Sequence, residues 1–425
     1  MIIHVVQQGE TINSIANMYG KDIDRLIQEN GLENADNLAI GQSIVIVYAK
    51  QTHTVKEEDT LQGIADQYGI TLIQLLRNNP YLLDRENIFP GETLVIHYED
   101  EKISQTTTNG LVFPYIDLKI LEKNLLFLTY LSVYSYSVAA NGDLDDIDDI
   151  DIINSARSYG VAPIMVISNL KESGYDNEVA HNIIVNQDIR NNFIQNVLSV
   201  AKKKNYYGID INFPYIQSED LMPYIEFITD ITDSLHKEGF KVFITMTPNT
   251  FVPDSEISRE ESNYSKLGQT LDGIILFYYD FAYPTDISTE MIPFYYIRNL
   301  IELISLFIPP EKIIISAITI GYIWEIPYIE DVSKVYIISS TNAAVLASES
   351  NSVIQFNKLN LSSYFYIQNH DLRQVIFYDA RGLSTYSHLV PDFGLHGMAF
   401  WTVMYYIPQT FFFMNTQYDI VNIEI

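Results

Sequence analysis

The chain repeats itself near its N-terminus, and no other feature constrains its folding as tightly. The segment from His4 to Ile12 returns 49 residues later, from His53 to Leu61. At that offset Ile15-Ala16 matches Ile64-Ala65, Tyr19-Gly20 matches Tyr68-Gly69, Leu26 matches Leu75 and Asn30 matches Asn79. One residue is then inserted, so that Gly41 matches Gly91 and Ile44-Val45-Ile46 matches Leu94-Val95-Ile96. A period of this length marks one supersecondary unit used twice.

The unit can be read from local chemistry. A short strand at 4–6 leads through a polar turn to Thr11, whose hydroxyl can accept an orphan amide at the start of a helix. Ile12, Ile15, Ala16 and Tyr19 recur at helical spacing and form one apolar stripe. Gly20 ends that helix. A second short helix carries Ile23, Leu26 and Ile27, and a loop through Gly41 enters a closing strand at 43–47. Two helices packed on a two-stranded sheet follow from this order.

The repeated unit resembles the lysin motif (LysM), a module that binds N-acetylglucosamine-containing glycans such as peptidoglycan and chitin. The resemblance covers nearly all of 2–48 and 51–98, so residues 1–49 and 50–99 are expected to be two βααβ domains. It implies glycan contacts in the loops 9–12 and 30–38, and in 59–61 and 79–87. The candidates are Gly9, Thr11, Ile12 and Asn30 in the first unit, and Asp59, Thr60, Leu61 and Asn79 in the second. Each residue taken singly is better explained as structure, Thr11 and Thr60 as caps and Asn30 and Asn79 as turn residues, while the module as a whole points to glycan binding.

Beyond the repeats, the polar run 104–109 reads as the end of a linker spanning 100–109. Residues 110–425 then alternate apolar strand-like runs with helical patterns. The runs lie at 127–137, 162–168, 207–212, 241–247, 273–279, 312–318, 374–378 and 396–401, with helical stretches such as 148–159, 188–204, 221–238 and 293–308 between them. Regular alternation argues a parallel sheet, and eight strands over this length fit a closed (β/α)8 TIM barrel. The fold class is therefore α/β. With 425 residues there is ample chain for several domains and a large core. The stretch 313–324 is too short and too interrupted to span a membrane, and reads as one buried strand.

The balance of 25 Lys+Arg against 54 Asp+Glu, a net charge of −29, leaves no basic footprint for nucleic acid or an anionic membrane. The chain has no cysteine, which removes disulfides, thiol nucleophiles and Cys-based zinc sites. Met1-Ile2-Ile3-His4 has no basic n-region, so synthesis in a cytoplasm without a secretory signal is expected.

The strand ends of the barrel region resemble family-18 glycoside hydrolases. Within that family they are similar to the bacterial spore enzymes that pair two lysin motifs with the barrel and degrade cortex fragments as N-acetylglucosaminidases. The matching pieces are Leu128 to Tyr130 with Tyr134 to Tyr136, Ser168 to Leu170, Tyr207 to Tyr215, Tyr279-Asp280, Gly321 to Trp324, Tyr378 to Arg381 and Gly397 to Trp401. Family-18 catalysis is substrate-assisted and departs from the usual pair of enzyme carboxylates. Its fourth-strand motif is Asp-x-x-Asp-x-Asp-x-Glu, whose Glu protonates the leaving oxygen while the preceding Asp orients the substrate acetamide. Here those four positions read Tyr207, Asp210, Asn212 and Pro214.

Proline has no proton to give at any pH. General acid catalysis is worth roughly 10²–10⁴ in rate, so its loss makes ordinary turnover implausible. The nearest substitutes are Glu219 and Asp220, in the loop before the next helix. The resemblance also implies a cleft with Tyr279 and Asp280 at the sixth strand and Trp401 as an aromatic floor, with Tyr136 and Trp324 at the same mouth. No cofactor or metal is implied. The acidic run from Asp143 to Asp151 lacks the Gly and Glu positions of a calcium loop and reads as a solvated loop whose last Asp residues start a helix.

Two functions are thus expected as alternatives. One is a catalytically silent protein of a spore coat or similar envelope that binds peptidoglycan or another N-acetylglucosamine-containing glycan, with other coat proteins or its own copies as further partners. The other is a working N-acetylglucosaminidase with displaced catalytic residues.

Overall fold

The computed structural model describes the whole chain except residues 86, 172–173, 215, 248–264, 278–291, 330–331 and 369–370. Each repeat folds as its sequence requires. In the first, strand Ile2–Val5 pairs antiparallel with Ser43–Ile46 around helices Ile12–Tyr19 and Ile23–Asn30. In the second, strands Ala49–Thr54 and Thr93–Tyr98 enclose helices Leu61–Tyr68 and Leu72–Asn78. Thr11 and Thr60 accept the amides of Ser14 and Gly63, and Gly20 and Gly69 close the first helices in the left-handed conformation. The stripe Ile12, Ile15, Ala16 and Leu26 is buried against Ile44 and Ile46.

Eight parallel strands form the barrel among the described residues. In order they are Ser104–Val112, Tyr130–Ser137, Ala162–Ser168, Gly208–Asn212, Lys241–Met246, Gly273–Leu276, Ile313–Ile318 and Gly397–Trp401, and the eighth pairs with the first to close the cylinder. Every strand but the fourth places an apolar residue in the interior cluster, among them Leu111, Tyr134, Val166, Phe243, Ile275, Ile314 and Ala399. The helices pack outside over a second, larger core.

The first strand corrects the expected linker. Residues 104–109 are polar, yet they lie in Ser104–Val112 and bury Thr106, Thr107, Thr108 and Asn109. These side chains are paired: Thr108 Oγ1 donates to the Phe127 carbonyl (2.6 Å), and Asn109 exchanges hydrogen bonds with Ser132 (2.9 and 3.0 Å). β-Branched threonines suit a strand once their hydroxyls are satisfied. Conversely, the run 374–378 is not a barrel strand. It belongs to strand Leu372–Phe377 of a five-stranded antiparallel sheet inserted between the seventh and eighth barrel strands. The apolar stretch 313–324 is two strands, the second (Ile320–Glu325) lying in that insert.

The repeats are not tethered loosely. Helix Pro408–Gln417, which follows the eighth barrel strand, lies across both. Gln409 Nε2 donates to Asn30 Oδ1 (3.1 Å) and the Ser43 carbonyl (2.9 Å) in the first repeat, and Asn415 Nδ2 donates to Asn78 Oδ1 (2.8 Å) in the second. Buried Arg77 donates to the Leu126 carbonyl, to the Ile420 carbonyl (3.2 Å) and to Asn422 (2.9 Å), all on the barrel.

Candidate functional site

The fourth barrel strand carries the candidate positions Asp210 and Asn212. Its register places Asp210 beside Val166 and Phe243, and Asn212 beside Ser168, so alternate residues face the interior. The strand ends at Asn212, two residues before Pro214, as expected where a proline can give no amide to a ladder. Pro214, which the sequence resemblance aligns with the acid, is buried.

Asp210 is fully buried. Its Oδ2 accepts from Thr245 Oγ1 (2.7 Å), and its Oδ1 has no partner among the described residues. Burial pushes its carboxyl up to about 7, against a smaller opposing effect of the Thr245 hydrogen bond. Asn212 donates through Nδ2 to the Tyr134 hydroxyl (3.1 Å). That hydroxyl lies 3.2 Å from the Tyr175 hydroxyl. Burial, then Tyr175, holds Tyr134 well above the ordinary phenol range, so it stays protonated. The three side chains form one neutral polar ladder at the barrel mouth.

Trp401 ends the eighth strand and forms the aromatic part of the mouth. It meets Phe113, Tyr134 and Phe277 edge-on at 5.7, 5.6 and 5.1 Å between ring centroids, and Tyr115, 78% exposed, stacks on Phe113. Of these partners, Phe113, Tyr134 and Phe277 were not singled out from sequence as cleft residues. The signal available for Phe113 and Phe277 was their place one residue past the end of a barrel strand.

Tyr136 requires a correction. Between Val133 and Tyr136 the second strand carries one residue more than its neighbour, a bulge that reverses which side chains face inward. Tyr134 stays in phase with Tyr130 and faces the interior, whereas Tyr136 is turned to the outer side, where its hydroxyl donates to Asp149 Oδ2 (2.5 Å). Asp149 also receives the Tyr206 hydroxyl and Lys204 Nζ (2.8 Å). The acidic run is thus not wholly solvated, since its Asp149 is 1% exposed and charge-paired inside. Trp324, also expected at the mouth, is buried in the inserted sheet. Tyr279 and Asp280 lie outside the described residues, as does Tyr215 at the end of the motif. Of the two displaced-acid candidates, Glu219 is exposed, whereas both oxygens of Asp220 lie against His181 Nδ1 (2.9 and 2.7 Å).

In the repeats, Asn30 and Asn79 are buried and do the same internal work. Each donates from Nδ2 to two carbonyls, those of Leu26 and Val45 or of Leu75 and Val95, and accepts the Val45 or Val95 amide on Oδ1. These bonds peg the closing strand to the second helix, which leaves neither side chain for a glycan. Ile12 is likewise core, at 4% exposure. Asp59 accepts from the Lys56 amide (2.7 Å) and holds His53 (2.8 Å), so it shapes its turn. Gly9, Thr11 and Thr60 are exposed and Leu61 half-buried.

Comparison with known proteins agrees with this architecture. The model of the LysM domain matches residues 4–47 and 53–97, and that of glycosyl hydrolases family 18 matches residues 94–405. The cortical fragment-lytic enzyme of Bacillus subtilis (strain 168) is 25% identical over 450 residues, covering 99% of each chain. That of Bacillus anthracis is 24% identical over 418 residues, covering 96% of each. The crystal structure of the Bacillus megaterium QM B1551 spore cortex-lytic enzyme SleL superposes with a TM-score of 0.80 at 25% identity, over 99% of this chain and 98% of that one. Among the described residues no helix is long and apolar enough to cross a membrane. With a matching barrel over most of its length, this chain belongs to glycosyl hydrolases family 18 and carries two LysM domains ahead of the barrel.

Proposed function

We propose that this chain is a hydrolytically silent member of its family that binds peptidoglycan or a related N-acetylglucosamine-containing glycan, with a structural or binding role on a bacterial spore coat or envelope. The observation that carries this reading is Pro214 at the position of the general acid, at the end of a strand whose remaining carboxylate, Asp210, is sealed in the barrel interior. A buried carboxyl with one hydroxyl partner cannot reach a leaving group outside the barrel, and Asn212 carries no charge to stabilise a cationic intermediate. The Trp401 cluster and the Asn212–Tyr134 ladder remain suited to a sugar, one with ring faces and the other with neutral hydrogen-bonding groups.

The relatives' names as lytic enzymes favour the alternative of a working N-acetylglucosaminidase. Incubation with an aryl N-acetylglucosaminide separates the two: the silent reading expects no release of the aryl group. The double variant Pro214→Glu with Asn212→Asp is expected to gain detectable hydrolysis. Turnover by the unmodified protein that Glu219→Gln or Asp220→Asn abolishes overturns the proposal.

A further inference from the structure

The two repeats match in sequence but not in what covers them. At the tip of its second loop the first repeat is built into the barrel's inserted sheet. Asn34 Nδ2 donates to Ser348 Oγ (3.1 Å), and the Ile354 amide donates to the Ile40 carbonyl (2.9 Å). Ala39 is buried in a cluster with Ala343, Ala347, Ile354 and Phe365. A Cβ at Gly41 would stand 2.0 Å from the Ile354 carbonyl oxygen, so glycine is required by the contact itself.

The second repeat has the same loop in the open. Its first part is held by the Asp84–Lys123 ion pair (2.6 Å), but the tip beyond Asn87 stands clear of the barrel. A Cβ at Gly91, the counterpart of Gly41, would meet nothing within 4 Å. Phe89 takes the place of buried Ala39 and is 55% exposed. It is nonetheless held. Arg85 lies 5.8 Å from the Phe89 ring centroid and 5.4 Å from that of Tyr81, and is itself clamped by both oxygens of Glu92 (2.5 and 2.8 Å). The Phe89 amide also donates to Glu92 Oε2 (3.2 Å). An exposed aromatic fixed in advance loses little freedom on binding, and its bare face matches the apolar face of a pyranose ring.

We propose that the two LysM domains have divided their roles: the first is an internal bracket for the inserted sheet, and the second alone engages N-acetylglucosamine-containing glycan, through a platform centred on Phe89. This rests on the glycan-binding reading above. The test is co-sedimentation of the full-length protein with insoluble peptidoglycan. Phe89→Ala is expected to weaken binding about tenfold or more, the scale of losing one anchoring aromatic, while Phe89→Tyr retains it. Ile40→Ala, at the exposed side chain of the first repeat's loop tip, is expected to leave binding within about twofold. If the unmodified protein binds but Phe89→Ala binds equally well, or Ile40→Ala weakens binding as much, the division of roles is overturned and the glycan-binding reading survives. If the unmodified protein stays in the supernatant, both fall.

Discussion

Asp210→Asn should stabilise this protein above neutral pH and do little at acid pH. The carboxyl is fully buried, accepts one hydroxyl, leaves Oδ1 without a partner among the described residues, and is pushed up to about 7 from an ordinary value of 3.8. A raised folded-state pKa means that the native protein holds a proton the unfolded chain has released. Stability therefore falls as pH rises from about 4 to about 7, then levels off. Three pH units at about 1.4 kcal/mol each give about 4 kcal/mol of native-state destabilisation by pH 8. Asparagine is nearly isosteric with the neutral acid and carries no charge, so the variant escapes that loss. With an unfolding entropy of about 2 cal/mol/K per residue, a 425-residue chain gains about 4 °C in Tm. The assay is the difference in thermal midpoint between variant and parent, measured at pH 4.5 and pH 8, which cancels the titration of all other groups. The expected difference is about 1 °C at the first pH and about 4 °C at the second. A difference that is the same at both pH values would show that Asp210 is not held protonated, and the argument from its burial would fail.

Asn79→Ala removes two buried hydrogen bonds to the closing strand of its repeat and one to the second helix, and should cost about 3 kcal/mol in urea unfolding. Asn30→Ala should cost a similar amount, and neither should alter glycan binding per folded molecule; a stable variant with lost binding would return these residues to the glycan site. Lys204→Met leaves Asp149 buried with only tyrosine hydroxyls against it and should cost about 3–5 kcal/mol, with partial rescue by adding Asp149→Asn. A loss of unfolding free energy below about 1 kcal/mol would mean that Asp149 reaches water after all.

The amino-acid sequence by itself determined the parts that depend on near neighbours. A threonine three residues before an amide caps a helix, glycine ends it, and an apolar residue every three or four positions chooses its buried face. The two βααβ units and the alternating strands and helices were therefore legible without coordinates. Only the tertiary structure decided where a side chain's partner lies far along the chain. The polar run 104–109 became a barrel strand because Phe127 and His396 accept from Thr108 and Thr107, and Ser132 pairs with Asn109. One extra residue in the second strand turned Tyr136 away from the mouth and left Tyr134 facing it, since a bulge is set by pairing with the neighbouring strand. The two repeats, alike in local pattern, were made different by what the barrel laid against them. Local periodicity sets which elements form, whereas facing and covering are set by contacts between segments 19 to more than 300 residues apart, which no local window of sequence contains.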